Sequence, residues 1–211
     1  MDKLIVVGGG GFAKEIIWLA KDCNFDVVGV LDDSPDMEGQ TVLGVPVLGT
    51  ISSWCQHRNC KFVIAIGSPR TRILVAKKML TVGNPTFATL IHPSVINSKH
   101  VSIGEGTMVC AGSILTVDVE IGQHCILNLN VTVGHETTFL DFVTVAPMAA
   151  VSGNVILETG VEVGTGASIK QGLTLSSGAM LGMGGVLTKN IAPNLIFAGN
   201  PAKKLKEMPE L

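Results

Sequence analysis

From Ile103 to Leu187 every sixth residue is aliphatic or Phe, fifteen times without a miss. The members are Ile103, Val109, Leu115, Ile121, Leu127, Val133, Phe139, Val145, Val151, Leu157, Val163, Ile169, Leu175, Leu181 and Leu187. In a chain that is 46% hydrophobic, one such register arises by chance with a probability of roughly 10⁻⁵, and a fixed period outweighs any local propensity. Six is neither the period of a helix nor that of a half-buried strand. It is the period of a short strand and a corner. The residue two before each member is mostly small or β-branched, as at Thr107, Ser113, Val119, Cys125, Val131 and Thr137. Residues two apart on a strand face the same way, so each repeat sends one large and one small side chain inward. Gly104, Gly122, Gly134, Gly164 and Gly182 follow the large residue, where a tight corner tolerates little bulk. Three repeats close a triangular coil of eighteen residues, and the series runs to a little under five coils stacked on one aliphatic column. The alternative, a Val-rich sandwich, carries turn signals about every 8–12 residues.

Residues 90 to 203 therefore resemble the hexapeptide-repeat family, whose members form left-handed parallel β-helices. The hand comes from the resemblance, since parallel crossovers are otherwise right-handed.

The segment before the repeats reads differently. Leu4 to Val7 is a buried strand, Gly8 to Gly11 a turn, Phe12 to Lys21 a helix, and Asp26 to Leu31 a second strand ended by Asp32-Asp33. Lys61 to Gly67 is a third strand, followed by a helix from about Thr71 to Leu80. Three strands alternating with helices predict a small parallel sheet. We place the boundary at 88/89, between a Rossmann-like unit over 1–88 and a β-helix with a C-terminal tail over 89–211. A glycine-rich loop between strand and helix can cradle phosphate with backbone N–H groups. An acidic residue about twenty positions on can accept from a ribose hydroxyl, and Asp32 has that spacing. A tight turn with solvated aspartates fits the same residues.

Composition narrows the classes. A net charge of −2 and a pI near 6.2 provide no basic footprint for nucleic acid. Mean hydropathy is high at +0.47, but the repeat accounts for it, and the longest uncharged stretches are broken by Gly and Ser, so no membrane span is expected. The start, with four apolar residues before glycine, does not read as a signal peptide. Five cysteines without a CxxC pair suit a reducing cytoplasm, with Cys110 and Cys125 as small core fillers.

Titratable groups are sparse among the repeats. His124 follows Gly122-Gln123 as an ordinary corner residue, and His135 stands at a corner beside Glu136. A carboxylate next to an imidazole favours the imidazolium and raises basicity, which suits a general base. A solvated corner pair fits the spacing equally. Two histidines eleven apart with Cys125 form no recognisable zinc set, so no metal is expected.

The whole chain resembles bacterial sugar acyltransferases with a small Rossmann-like N-terminal domain and a β-helix, the group of nucleotide-sugar N-acetyltransferases and sialic acid O-acetyltransferases. The matching residues are Gly8 to Glu15, Asp32-Asp33, Ala65-Ile66-Gly67 with Arg72, His135-Glu136, Ser152-Gly153, and Ala198 to Lys203. The resemblance implies an acetyl-CoA-dependent enzyme acting on a nucleotide-linked amino sugar for surface polysaccharide. It makes His135 the general base, supported by Glu136. It assigns the nucleotide-sugar to Gly10, Gly11, Phe12, Asp32, Asp33 and Gly67, and acetyl-CoA to Thr144, Gly153, Thr165 and Met183. It also implies a homotrimer with sites between neighbouring β-helices. Phe12 and Thr144 depart from the group, which often carries histidine at both places. Sialic acid O-acetylation and a non-catalytic sugar-nucleotide-binding trimer are the competing functions.

Overall fold

A computed structural model describes all 211 residues, and the contacts divide it into two compact units, Met1–Pro93 and Ser94–Leu211. The expected boundary at 88/89 lies five residues before this division. The last bonds to the first sheet are made within 86–88, where Thr86 O accepts from Phe62 N at 2.9 Å and Ala88 N donates to Phe62 O at 2.8 Å, and Leu90–Ile91 already joins a sheet of the repeats.

The first unit is a five-stranded sheet in the order β3-β4-β2-β1-β5. Its strands are β1 (Lys3–Val7), β2 (Asp26–Leu31), β3 (Thr41–Val42), β4 (Val45–Gly49) and β5 (Lys61–Ile64). β1 is an interior strand, parallel to both β2 and β5, and Leu4, Ile5, Val6 and Val7 are fully buried. That accounts for an unbroken apolar run in place of alternation. Helix α1 (Gly11–Asp22) buries Ala13, Ile16, Ile17, Leu19 and Ala20, one face of a 3.6-residue period. Helix α2 (Pro69–Val82) opens with Pro69 at its first turn and the Ser68 hydroxyl accepting from Thr71 N.

Two strands exceed the three expected. β3 and β4 form a hairpin whose turn residues, Leu43 and Gly44, both have positive φ (48° and 78°). Such turns match strand twist, but Leu is an unusual occupant and conceals the signal. The third expected strand is also shorter, ending at Ile64: Ala65 N makes a last bond to Val7 O at 2.8 Å, and Ala65 to Gly67 line a cavity.

The second unit is a parallel β-helix. Residues pair with those eighteen further on, as in Ile114 with Thr132, Thr132 with Ala150, and Ala150 with Ser168. Within the repeats, strands of two and three residues form three sheets that face one column, in which every member of the six-residue series except half-buried Ile103 is buried. The corners are as periodic as the core. Every sixth residue from Gly106 to Gly184 has positive φ, including Asp118, His124, Asn130, Glu136, Phe142, Met148 and Asn154. This conformation costs an ordinary side chain roughly 1–2 kcal/mol. A Cβ on Gly104 would meet Gly122 C at 2.6 Å, so glycine here lets one coil lie on the next. Cys110 and Cys125 are buried. The tail is ordered beyond the last repeat. Residues Lys203–Glu207 pair antiparallel with Leu195–Ala198, and this lysine-rich strand, exposed at every residue, closes one sheet edge.

Candidate active site

His135 follows the strand Thr132–Val133 at a corner between two of the three sheets. Glu136 occupies the positive-φ corner position (56°), which turns its side chain back alongside its neighbour. The His135 Nδ1 to Glu136 Oε2 distance is 3.0 Å. A carboxylate accepts only, so Nδ1 carries the proton and Nε2 is left as the acceptor nitrogen when the ring is neutral. The side chains are 49% and 66% exposed, so the ring is open to a second reactant. The corner itself is fixed. Asn154 N donates to His135 O at 2.7 Å, and the buried Thr137 hydroxyl donates to Ser152 O at 3.1 Å. The ring lies over Gly153, one coil on: a Cβ there would stand 2.6 Å from Nε2 and 2.7 Å from Cε1. His124 is a buried corner residue stacked on Phe142, with centroids 4.9 Å apart.

The first unit holds a cavity of about 390 Å³. Gly10, Gly11, Phe12, Asp32, Asp33 and Gly67 all line it, together with Gly8, Ile51, Ala65, Ile66, Thr71 and Val75. Its floor is the N-terminus of α1. Gly10 caps that helix without a side-chain bond, and its first turn has no acidic residue. Backbone N–H groups there are available to an anion, and the helix dipole favours one. The aspartates are not simply solvated. Asp32 Oδ2 accepts from Gly9 N at 2.6 Å and Oδ1 from Ser34 N at 2.8 Å. Asp33 Oδ1 accepts from Ile51 N at 3.0 Å, while Oδ2 pairs with Lys78 Nζ at 2.6 Å. The two carboxylates therefore tie the glycine loop and the segment after β4 to the end of β2. Buried Arg72 donates to Ile66 O at 2.6 Å and to Gly67 O at 3.0 Å, holding the opposite wall. Gly9, Ile51 and Lys78 escaped the sequence reading as partners, and no local spacing signals a pair such as 33 and 78.

The four residues expected at acetyl-CoA do not gather in one place within a chain. Gly153 lies against His135. Thr144 is buried on the sheet that does not border the His135 corner. Thr165 and Met183 are exposed one coil apart at another corner, following Gly164 and Gly182, and Met183 is 77% exposed.

Residues 3–79 match the PglD N-terminal domain family. The chain is 30% identical over 166 residues to GDP-perosamine N-acetyltransferase of Escherichia coli O157:H7, covering 75% of this chain and 74% of that one. A mutant of perosamine N-acetyltransferase from Caulobacter crescentus, solved with CoA and GDP-perosamine, superposes with a TM-score of 0.91 at 28% identity, covering 98% of each chain. The acetyltransferase domain of PglB from Neisseria gonorrhoeae FA1090, solved with acetyl coenzyme A, superposes with a TM-score of 0.89 at 31% identity, covering 96% of this chain and 98% of that one.

Proposed function

Since the chain belongs to the hexapeptide-repeat sugar acetyltransferases that carry a Rossmann-like N-terminal domain, we propose that it moves the acetyl group of acetyl-CoA onto a nucleotide-linked amino sugar, with His135 as general base. The observation that carries this reading is the 3.0 Å contact of His135 Nδ1 with Glu136, which leaves Nε2 to receive a proton.

The amine nitrogen attacks the thioester carbonyl carbon as Nε2 takes a proton from the nitrogen. The tetrahedral intermediate collapses with loss of the CoA sulfur, which leaves as the thiol after collecting that proton. Glu136 holds the ring in one tautomer and stabilises the imidazolium that forms transiently. We assign the developing oxyanion to the Gly153 N–H, one coil from His135. The nucleotide belongs in the 390 Å³ cavity of the first unit, with its phosphates at the N-terminus of α1.

The working assembly in this reading is a homotrimer. Thr165 and Met183 sit at a different corner from His135, so one chain does not bring these two expected cofactor residues to its own base. A second copy presenting that corner supplies them. Five free cysteines suit a reducing cytoplasm, and no helix is long and apolar enough to cross a membrane.

The test is steady-state acetyl transfer to GDP- and UDP-linked amino sugars, with free sialic acid alongside, for wild type and His135→Ala. Losing a general base costs about 10²–10⁴ in rate. Activity of His135→Ala within about threefold of wild type would remove His135 from the mechanism. Efficient O-acetylation of free sialic acid, with the nucleotide-linked amines inert, would replace the acceptor.

A further inference from the structure

We infer that Gly153 is a positioning residue for His135: its missing methyl is the space in which the catalytic imidazole rests. The inference builds on His135 as the base.

The nearest atoms that a Gly153 Cβ would meet are His135 Nε2 at 2.6 Å, Cε1 at 2.7 Å and Cδ2 at 2.9 Å. All three belong to one side chain, and none is backbone. The glycines that serve coil stacking behave differently. Gly104 and Gly164 face main-chain atoms of the next coil, and so does Gly134, whose Cβ would meet Ser152 C at 2.7 Å. Gly153 also lies outside the positive-φ corner positions, so an L side chain can adopt its backbone.

The neighbouring coils support this directly. Positions eighteen residues apart occupy the same place in the coil, and that of Gly153 holds Lys99, Val117, His135, Gln171 and Lys189 in the others. The corner accepts branched, long and charged residues. Only the coil directly beyond the histidine carries glycine. The requirement therefore comes from the imidazole and not from the fold.

Nε2 is the atom that must meet the amine, and it lies nearest the missing methyl. In Gly153→Ala the methyl forces the ring outward by several tenths of an ångström or more, to ordinary contact distance. The ring is half-exposed and moves freely, but movement bends or breaks the Nδ1 bond to Glu136 and takes Nε2 off line. Misplacement by about 1 Å can cost 10²-fold in rate. Alanine keeps the residue-153 N–H, so loss of an oxyanion donor is not what the variant reports.

The experiment compares wild type, Gly153→Ala and His135→Ala in steady-state kinetics, thermal unfolding, and NMR of the His135 Cε1–H resonance, assigned by its absence from His135→Ala. Gly153→Ala should fold with an unfolding midpoint within about 2 °C of wild type and shift that resonance. It should lose about 10–100-fold in kcat, with both KM values within about twofold. If His135→Ala is inactive but Gly153→Ala turns over within about threefold of wild type, the positioning role is wrong. It is equally wrong if Gly153→Ala fails to fold or loses activity through KM alone. If His135→Ala itself stays active, the base assignment fails first, whatever Gly153→Ala does.

Discussion

Asp32→Ala should weaken binding of the nucleotide-linked sugar without slowing chemistry, and the structure sets the size of the effect. The Asp32 carboxylate accepts from Gly9 N at 2.6 Å and from Ser34 N at 2.8 Å. Ser34 is exposed, so water replaces the lost acceptor there. Gly9 is buried, and its N–H loses a charged partner with no substitute at hand. A hydrogen bond to a charged group is worth about 1.5–3 kcal/mol, and a stranded buried donor costs a similar amount. Gly9 leads directly into Gly10 and Gly11, which line the cavity, so the loop that should hold the phosphates is the part that loosens. If that ordering energy is drawn from binding, KM for the sugar nucleotide rises about 10–100-fold, since 1.4 kcal/mol is tenfold. kcat should stay within about threefold, because an interaction remote from the reacting atoms serves ground and transition states alike.

The assay varies the nucleotide-linked amino sugar at saturating acetyl-CoA. Asp32→Asn, which keeps one accepting oxygen, should fall between wild type and alanine. Asp33→Ala is the internal comparison. It loses the Ile51 contact and a Lys78 ion pair whose side chains are each 43% exposed, and such a pair contributes about 0–1 kcal/mol. Its KM should rise only a few-fold. An unchanged KM in Asp32→Ala, or a fall in kcat at constant KM, would refute the assignment of this loop to the nucleotide.

Phe139 is the one aromatic member of the buried series, 1% exposed and in register with Ile121 and Leu157 of the adjoining coils. Phe139→Ala should cost about 3–5 kcal/mol in urea unfolding; a loss below about 1.5 kcal/mol would mean that the coils collapse into the void. Light scattering should report three times the 22.0 kDa chain mass, and a monomer at assay concentration would overturn the proposed trimer.

The β-helix was legible because its period is written into side-chain type. A residue packed on the axis must be large and apolar in every coil, and apart from Ile103 the six-residue series is buried throughout. The corner conformation was less legible. Glycine holds it at Gly106, Gly112 and Gly160, but Phe142 and Met148 adopt the same positive φ. Stacked coils impose that geometry whatever the side chain prefers, and the sequence records only the positions where glycine relieves it. In the first unit the hairpin of β3 and β4 stayed hidden for a related reason. Val42 and Val45 flank Leu43-Gly44 rather than Asn-Gly, and Pro46 interrupts an already short run.

The candidate site was legible in its residues and much less so in its connections. All six residues assigned to the nucleotide line one cavity, because strand–loop–helix units place their loops at the same sheet edge. What holds those residues was invisible: Asp33 reaches Lys78, and Arg72 grips the carbonyls of Ile66 and Gly67. Those contacts depend on how α2 lies against the sheet, which no local spacing states. The β-helix is the opposite case. Once the coil length is known, adjacency is arithmetic, and the residue over or under any corner is eighteen positions away. His135 then points to Gly153 and Val117 before any coordinates exist. The same arithmetic places Thr165 over Met183 and keeps both away from His135, since 165 and 135 differ by thirty. Thirty is not a multiple of eighteen, so no stacking of coils in one chain can bring them together. If those residues and His135 serve one acetyl-CoA, the symmetry of an assembly must close the gap that the repeat leaves open.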